Sequence, residues 1–166
     1  MVQSAPTLTD GAVYQYRIQK DQIAITITLV GGESVEGFIF VQQSVYRHLG
    51  REEPTDLFNG PEPFFPIVCR DGSTLLVAKD HVAEAWPIQL TDDDHLRLAA
   101  SHAAELEVTL HDGTVRRGMV PLEMPSDRPR LLDFLNGHHE RFLALHVADA
   151  IRLVNMRAIK RVRPLD

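Results

Sequence analysis

The densest group of side chains able to do chemistry is His138-His139-Glu140, in a chain of 166 residues with eight histidines. Imidazole and carboxylate are ligands that zinc accepts, so this group could hold that ion with His95, His102, His111 or His146. The spacing argues against it. Adjacent histidines in a loop point in different directions, no HExxH phrase is present, and a comparable stretch earlier in the chain reads Asn59-Gly60-Pro61-Glu62-Pro63. The expectation is surface histidines, with no metal and no other cofactor. Cys69 is the single cysteine. A nucleophilic thiolate needs a helix end or a basic partner, and the neighbouring sequence offers neither. Arg128, Arg130 and Arg141 surround an apolar run and could grip a phosphate or a cyclic dinucleotide, but no glycine-rich cradle stands beside them. With no Ser-His-Asp phrase, Rossmann glycines or framed pair of carboxylates, the chain is expected not to be an enzyme.

The most repeated polar residues are Asp56 and Asn59, in Asp56–Gly60 (DLFNG), and Asp133 and Asn136, in Asp133–Gly137 (DFLNG). They read either as equivalent partner sites or as local turn chemistry, in which Asp caps a turn and Asn tolerates positive φ. A duplicated fold would keep both phrases, whereas a function needs one, so the structural reading is preferred. Other segments match in the same order. Leu8–Ile18 lies over Leu90–Ala100 at an offset of 82, Thr28–Gly37 over Thr109–Gly118 at 81, Phe64–Cys69 over Phe142–Val147 at 78, and Leu76–Pro87 over Leu153–Pro164 at 77. Two copies of one unit, residues 8–87 and 90–166, account for the series. Fusion makes permanent a contact that a homodimer would hold by mass action. Cys69 matches Val147, so the thiol takes the place of a small apolar side chain.

These residues must be positioned by strands. Tyr14, Tyr16 and Ile18, then Ile23, Ile25, Ile27 and Leu29, then Leu106, Val108 and Leu110 recur at period two, the signature of half-buried strands. Gly31-Gly32, Asp71-Gly72 and Asp112-Gly113 predict hairpin turns. Ala148-Asp149, lacking glycine, predicts a looser one. Gly37 and Gly118 predict bulges or bends. Residues 79–86 and 156–162 predict a tight turn into a last strand. The longer excursions between Val41 and Phe64, and between Val120 and Phe142, each predict one helical turn, with Asp near its start and Gly at its stop. Residues 91–104 admit two readings. Thr91 and three following Asp suit a helix start, while the matched segment in the first copy, with two tyrosines at alternate positions, is strand material and tips the choice to strand.

A strand, an Asp-Gly turn, a strand with an internal glycine, two further strands and a short last one resemble the small SH3-type barrel of the Sm-like family. Leu110–Val120 is similar to that family's first hairpin and Arg157–Val162 to its closing strand. The resemblance implies a mainly β chain: two tandem copies of a five- to six-stranded barrel packed together, with a short helical turn in each long loop. The family's uridine-binding residues do not carry over. Residues 40–50 and 121–130 lack the Asp…Asn signature expected after the second strand, and Lys79-Asp80 and Met156-Arg157 replace Arg-Gly before the last.

A net charge of −6 argues against general affinity for nucleic acid or anionic lipid. Residues 1–87 carry 6 basic and 11 acidic side chains (−5), and residues 88–166 carry 11 and 12 (−1). Arg157, Lys160, Arg161 and Arg163 form a basic edge, read as protection against sheet-to-sheet pairing or, alternatively, as a dock for an acidic partner or RNA. No apolar stretch reaches membrane-span length and no basic-then-apolar leader is visible, which with a single cysteine leads to the expectation of a cytoplasmic protein. The leading expectation is a regulatory or assembly module that binds another protein through the excursions. Asp56, Phe58, Asn59, Phe64 and Phe65 are its candidate residues in one copy, and Arg130, Asp133, Phe134 and Asn136 in the other. Homo-oligomerisation through barrel edges is a further possibility.

Overall fold

The computed structural model describes residues 20–42, 52–122 and 130–165. The expected strand at Tyr14–Ile18 and the side chain of Arg128 lie outside them. Alternation builds the sheet. In β2 (Ser34–Gln42), Val35, Ile39 and Val41 are buried while Ser34 and Glu36 are exposed. It pairs antiparallel with β1 (Lys20–Leu29), placing Val35 opposite Ile27 and Ile39 opposite Ile23. Gly31 and Gly32 turn this hairpin at φ 105° and 100°, a region that side chains rarely enter. β3 (Phe64–Cys69) and β4 (Thr74–Ala78) follow. A single turn of 3-10 helix at Lys79–His81 leads into β5 (Val82–Gln89), the expected tight turn into a last strand.

The second half repeats this order of elements with β6 (His102–Leu110), β7 (Val115–Leu122), β8 (Phe142–Val147), β9 (Ala150–Asn155), a 3-10 turn at Met156–Ala158, and β10 (Ile159–Leu165). The ten strands of the described residues form one antiparallel sheet, in the order β10-β6-β7-β8-β9-β5-β1-β2-β3-β4. Within it the first five strands stand as fifth, first, second, third, fourth, and so do the second five. The sheet is not closed, in contrast to the closed barrels expected, and it runs on from one half to the other where β5 pairs with β9.

Two details differ from expectation. The β1–β2 and β6–β7 ladders run through Gly37 and Gly118 without a register shift. Both glycines instead make room for the next strand. A Cβ at Gly37 would strike the Val68 carbonyl oxygen, and one at Gly118 would lie 3.0 Å from the Leu145 Cβ. The Ala148-Asp149 turn is also tight, because Val147 pairs directly with Ala150. It is made by Ala148 at φ 52°.

Among the described residues, three helices lie in the connections. α1 (Pro54–Asn59) begins with proline, and Asp56 Oδ2 accepts from the Glu53 N–H at 2.9 Å. α3 (Leu131–Gly137) is its counterpart. The expected helical turns are therefore present, although Gly60 follows α1 at φ −64° and not in the left-handed region. Residues 91–104 correct the strand preference. They form α2 (Asp92–Ala100) before β6 begins. Local capping wins here: Thr91 Oγ1 accepts from the Asp94 N–H at 3.1 Å, and Asp94 Oδ2 accepts from the Thr91 N–H at 3.0 Å.

Two apolar clusters result. One gathers Ile25, Ile27, Ile39, Phe65, Ile67 and Ile88 from the first half, and takes Phe142, Ile151 and Leu153 from the second. The other gathers Leu106, Val108, Val120, Leu143, Leu145 and Val154, and takes Ala83 from the first half.

Candidate functional site

The junction of the two halves shows what Phe58, Asn59 and Phe65 do. Phe58 is fully buried, with its ring centroid 5.0 Å from Phe65 and 5.4 Å from Phe142, edge-on to both. Phe65 is 1% exposed. Neither ring is available to a partner, which corrects their place among the candidate contact residues. Asn59 ties α1 to the second half. Its Oδ1 accepts from the Phe142 N–H at 2.9 Å and its Nδ2 donates to Glu140 Oε2 at 2.9 Å.

Further polar residues hold the junction, most of them outside any motif of the sequence; Arg141 and Lys79-Asp80 stood out there for other roles. Glu84, 3% exposed, accepts from Arg116 Nε at 2.8 Å and lies 3.5 Å from Arg152 Nη1. The Arg152 guanidinium sits 4.4 Å above the Trp86 ring. Buried Asn155 donates to the Val82 carbonyl at 2.9 Å, and Arg141 pairs with Asp80 at 3.2 Å. Lys79 is 1% exposed, and its Nζ donates to the Gly60 carbonyl at 3.3 Å. Burial and the nearby Arg141 push its pKa down. The only sequence signal for this set is that its members differ from their counterparts in the other copy: Leu75 stands for Arg152, Arg161 for Glu84 and Ala78 for Asn155.

Asp56, Asn59 and Phe134 meet at one groove of about 570 Å³, together with Glu53, Asp94 and Glu140. Burial, with the nearby Asp94, Asp56 and Asp93, raises the pKa of Glu53. This crowding of carboxylates suits a basic group better than an acidic one. The His138-His139-Glu140 group is committed elsewhere. His138 Nε2 shares a hydrogen bond with the Phe142 carbonyl at 2.9 Å, Glu140 bonds Asn59, and His139 is exposed. Among the described residues, no three His, Cys, Asp or Glu side chains are grouped to hold a metal ion. Cys69 packs half-buried against the first core.

The remaining candidates lie apart from the groove or on its rim. Arg130, Asp133 and Asn136 are exposed on or beside α3. The basic side chains of Arg157, Lys160, Arg161 and Arg163 are exposed along β10 and the turn before it. Arg161 Nε approaches Thr109 Oγ1 at 3.4 Å. β10 ends the sheet on one side and β4 on the other. β4 reads Thr-Leu-Leu-Val-Ala and carries no charge. Its Leu75 and Leu76 are 42% and 72% exposed, and Phe64 on the adjacent β3 is 57% exposed. No helix among the described residues is long and apolar enough to cross a membrane. Comparison of the chain with known protein families, with curated proteins and with solved structures finds no match.

Proposed function

We propose that the protein is a non-enzymatic interaction module, built from two SH3-like units, that binds another protein along β4 and the neighbouring Phe64. The observation that carries this reading is the uncharged, apolar edge strand. Free edges present unpaired N–H and C=O groups, and proteins that leave them unpaired protect them with charge. β4 carries no such charge. An added strand would gain main-chain hydrogen bonds from β4 and an apolar contact from Leu76 and Phe64, which share one face of the sheet.

The test is affinity capture from the protein's own cell extract with wild-type chain and with Leu76→Arg. Leu76 is exposed, so the substitution should leave folding intact while placing a charge in the contact. Loss of at least one captured protein is expected, and identical recovery from both baits would overturn the proposal. A second reading, docking of RNA on the basic β10 edge, is favoured by the exposed Arg161 and Arg163. It requires binding that weakens steeply with salt.

A further inference from the structure

The β5–β9 junction shows how this chain covers an edge of the same kind as β4. Under the offsets of the sequence repeat, Phe142, Ile151 and Leu153 correspond to Phe64, Thr74 and Leu76. Phe142 is 1% exposed and Leu153 is fully buried, because both pack into the first half's core with Phe58 and Ile88. Their counterparts Phe64 and Leu76 are 57% and 72% exposed. Phenylalanine and leucine hold the same strand positions in both halves, and Thr74 stands where the other half has Ile151. What differs is that β9 has β5 beside it, whereas β4 has no second strand beside it among the described residues.

The receiving side has its counterpart as well. Phe58, Ala85 and Ile88, which receive β8 and β9, correspond to Leu135, Val162 and Leu165. Leu135 and Val162 are only partly buried against the second core. Beside them opens a groove of about 680 Å³, lined by Ala104, Leu122, Leu131, Leu132, Pro164 and Leu165. Exposed Glu62, Arg70 and Asp71 flank β3 and β4, and β10 carries Lys160, Arg161 and Arg163.

We propose that copies of this chain join head to tail, with β4 of one copy pairing antiparallel with β10 of the next and Phe64 and Leu76 entering that groove. The proposal rests on the interaction-module reading and deepens it by naming the partner as a second copy. The β5–β9 register places Glu84 opposite Val154, Ala85 opposite Leu153 and Ile88 opposite Ile151. Carried over by the repeat, it sets Arg161 opposite Val77, Val162 opposite Leu76 and Leu165 opposite Thr74. Asn136 then stands to the neighbour's Phe64 N–H as Asn59 stands to that of Phe142. Such a contact uses two different surfaces. It closes into a ring if the rotation per copy allows and otherwise extends as a filament.

The register is tested by cross-linking. Residues directly opposite in antiparallel strands bring their Cβ atoms within disulfide reach. In a Cys69→Val background, Leu76→Cys with Val162→Cys should oxidise to a reducible ladder in multiples of 18.7 kDa on a denaturing gel. Leu76→Cys with Arg163→Cys, one residue out of register and on the opposite face, should give none. Unmodified chain should sediment as multimers, and Leu76→Arg as a monomer with an unchanged circular dichroism spectrum. A wild-type chain that stays monomeric at its highest soluble concentration would overturn the proposal. So would Leu76→Cys alone forming a disulfide dimer as readily as the in-register pair, since β4 would then meet β4. A monomeric chain whose capture of a different protein is abolished by Leu76→Arg defeats self-assembly and leaves the interaction module standing. A monomeric chain whose captures ignore Leu76→Arg defeats both.

Discussion

Ala148 holds φ at 52° in the turn between β8 and β9, a conformation that strains any residue with a Cβ. Ala148→Gly should relieve more strain than it adds chain entropy, and raise stability by about 0.5–1 kcal/mol in urea unfolding. His146 is another residue held in an unfavourable state. It is buried, its Nδ1 has no hydrogen-bond partner among the described residues, and burial depresses its pKa below the usual histidine range. Asp94 opposes that shift, while Arg97 and His95 add to it. The unfolded chain therefore binds a proton more readily than the folded one. The folded state keeps its full advantage above the ordinary histidine pKa of about 6.5 and loses it as pH falls below that value. His146→Val, the residue type found at the matched Val68, should flatten the decline in unfolding midpoint between about pH 7 and pH 5. Glu84 is the residue whose partners matter most. Removing both of them with Arg116→Ala/Arg152→Ala leaves a buried carboxylate alone, and should cost roughly 3–5 kcal/mol in the same assay.

At the scale of elements, what was legible in the sequence was what short-range chemistry decides. The Asp71-Gly72 and Asp112-Gly113 hairpins and the 3-10 turns before β5 and β10 follow from the residues within them. α2 was open to misreading because its capping box had to be weighed against a matched segment of strand character. Thr91→Ala should remove the cap and lower stability by about 1 kcal/mol, with helix content falling in circular dichroism. Gly37 and Gly118 were recognisable as special, but close approach of β3 and β8, and not a bulge, is their reason, and that depends on strands remote in sequence. Asn59 and Asn136 make the same point. The two sit in nearly identical phrases, yet only Asn59 has a neighbouring half to bond. Asn59→Ala should orphan the buried Phe142 N–H and cost about 1–3 kcal/mol. Asn136→Ala, at an exposed position, should cost the isolated chain close to nothing.

For the whole molecule, composition and periodicity indicated a mainly β chain, and the sheet contains ten strands. They did not indicate that the halves share one sheet. The β5–β9 pairing joins Ala85 to Leu153, and nothing local to either residue announces the other. The same limit hid the candidate surface. Phe58, Phe64 and Phe65 look alike in sequence; the face of β3 that meets the core separates Phe65 from Phe64, and the packing of α1 on that core buries Phe58. Burial of Phe142, Ile151 and Leu153 in the first core welds the halves together, so unfolding should be a single transition by both fluorescence and circular dichroism, with coincident midpoints.

The central claim is that β4 is an edge made to be covered, and hydrogen exchange followed by mass spectrometry across a range of protein concentrations reads it directly. Peptides spanning residues 74–78 and 159–165 should gain protection together as concentration rises, while those of β1 and β9 stay unchanged. Rapid, concentration-independent exchange throughout β4, unaltered by adding cell extract, would contradict it.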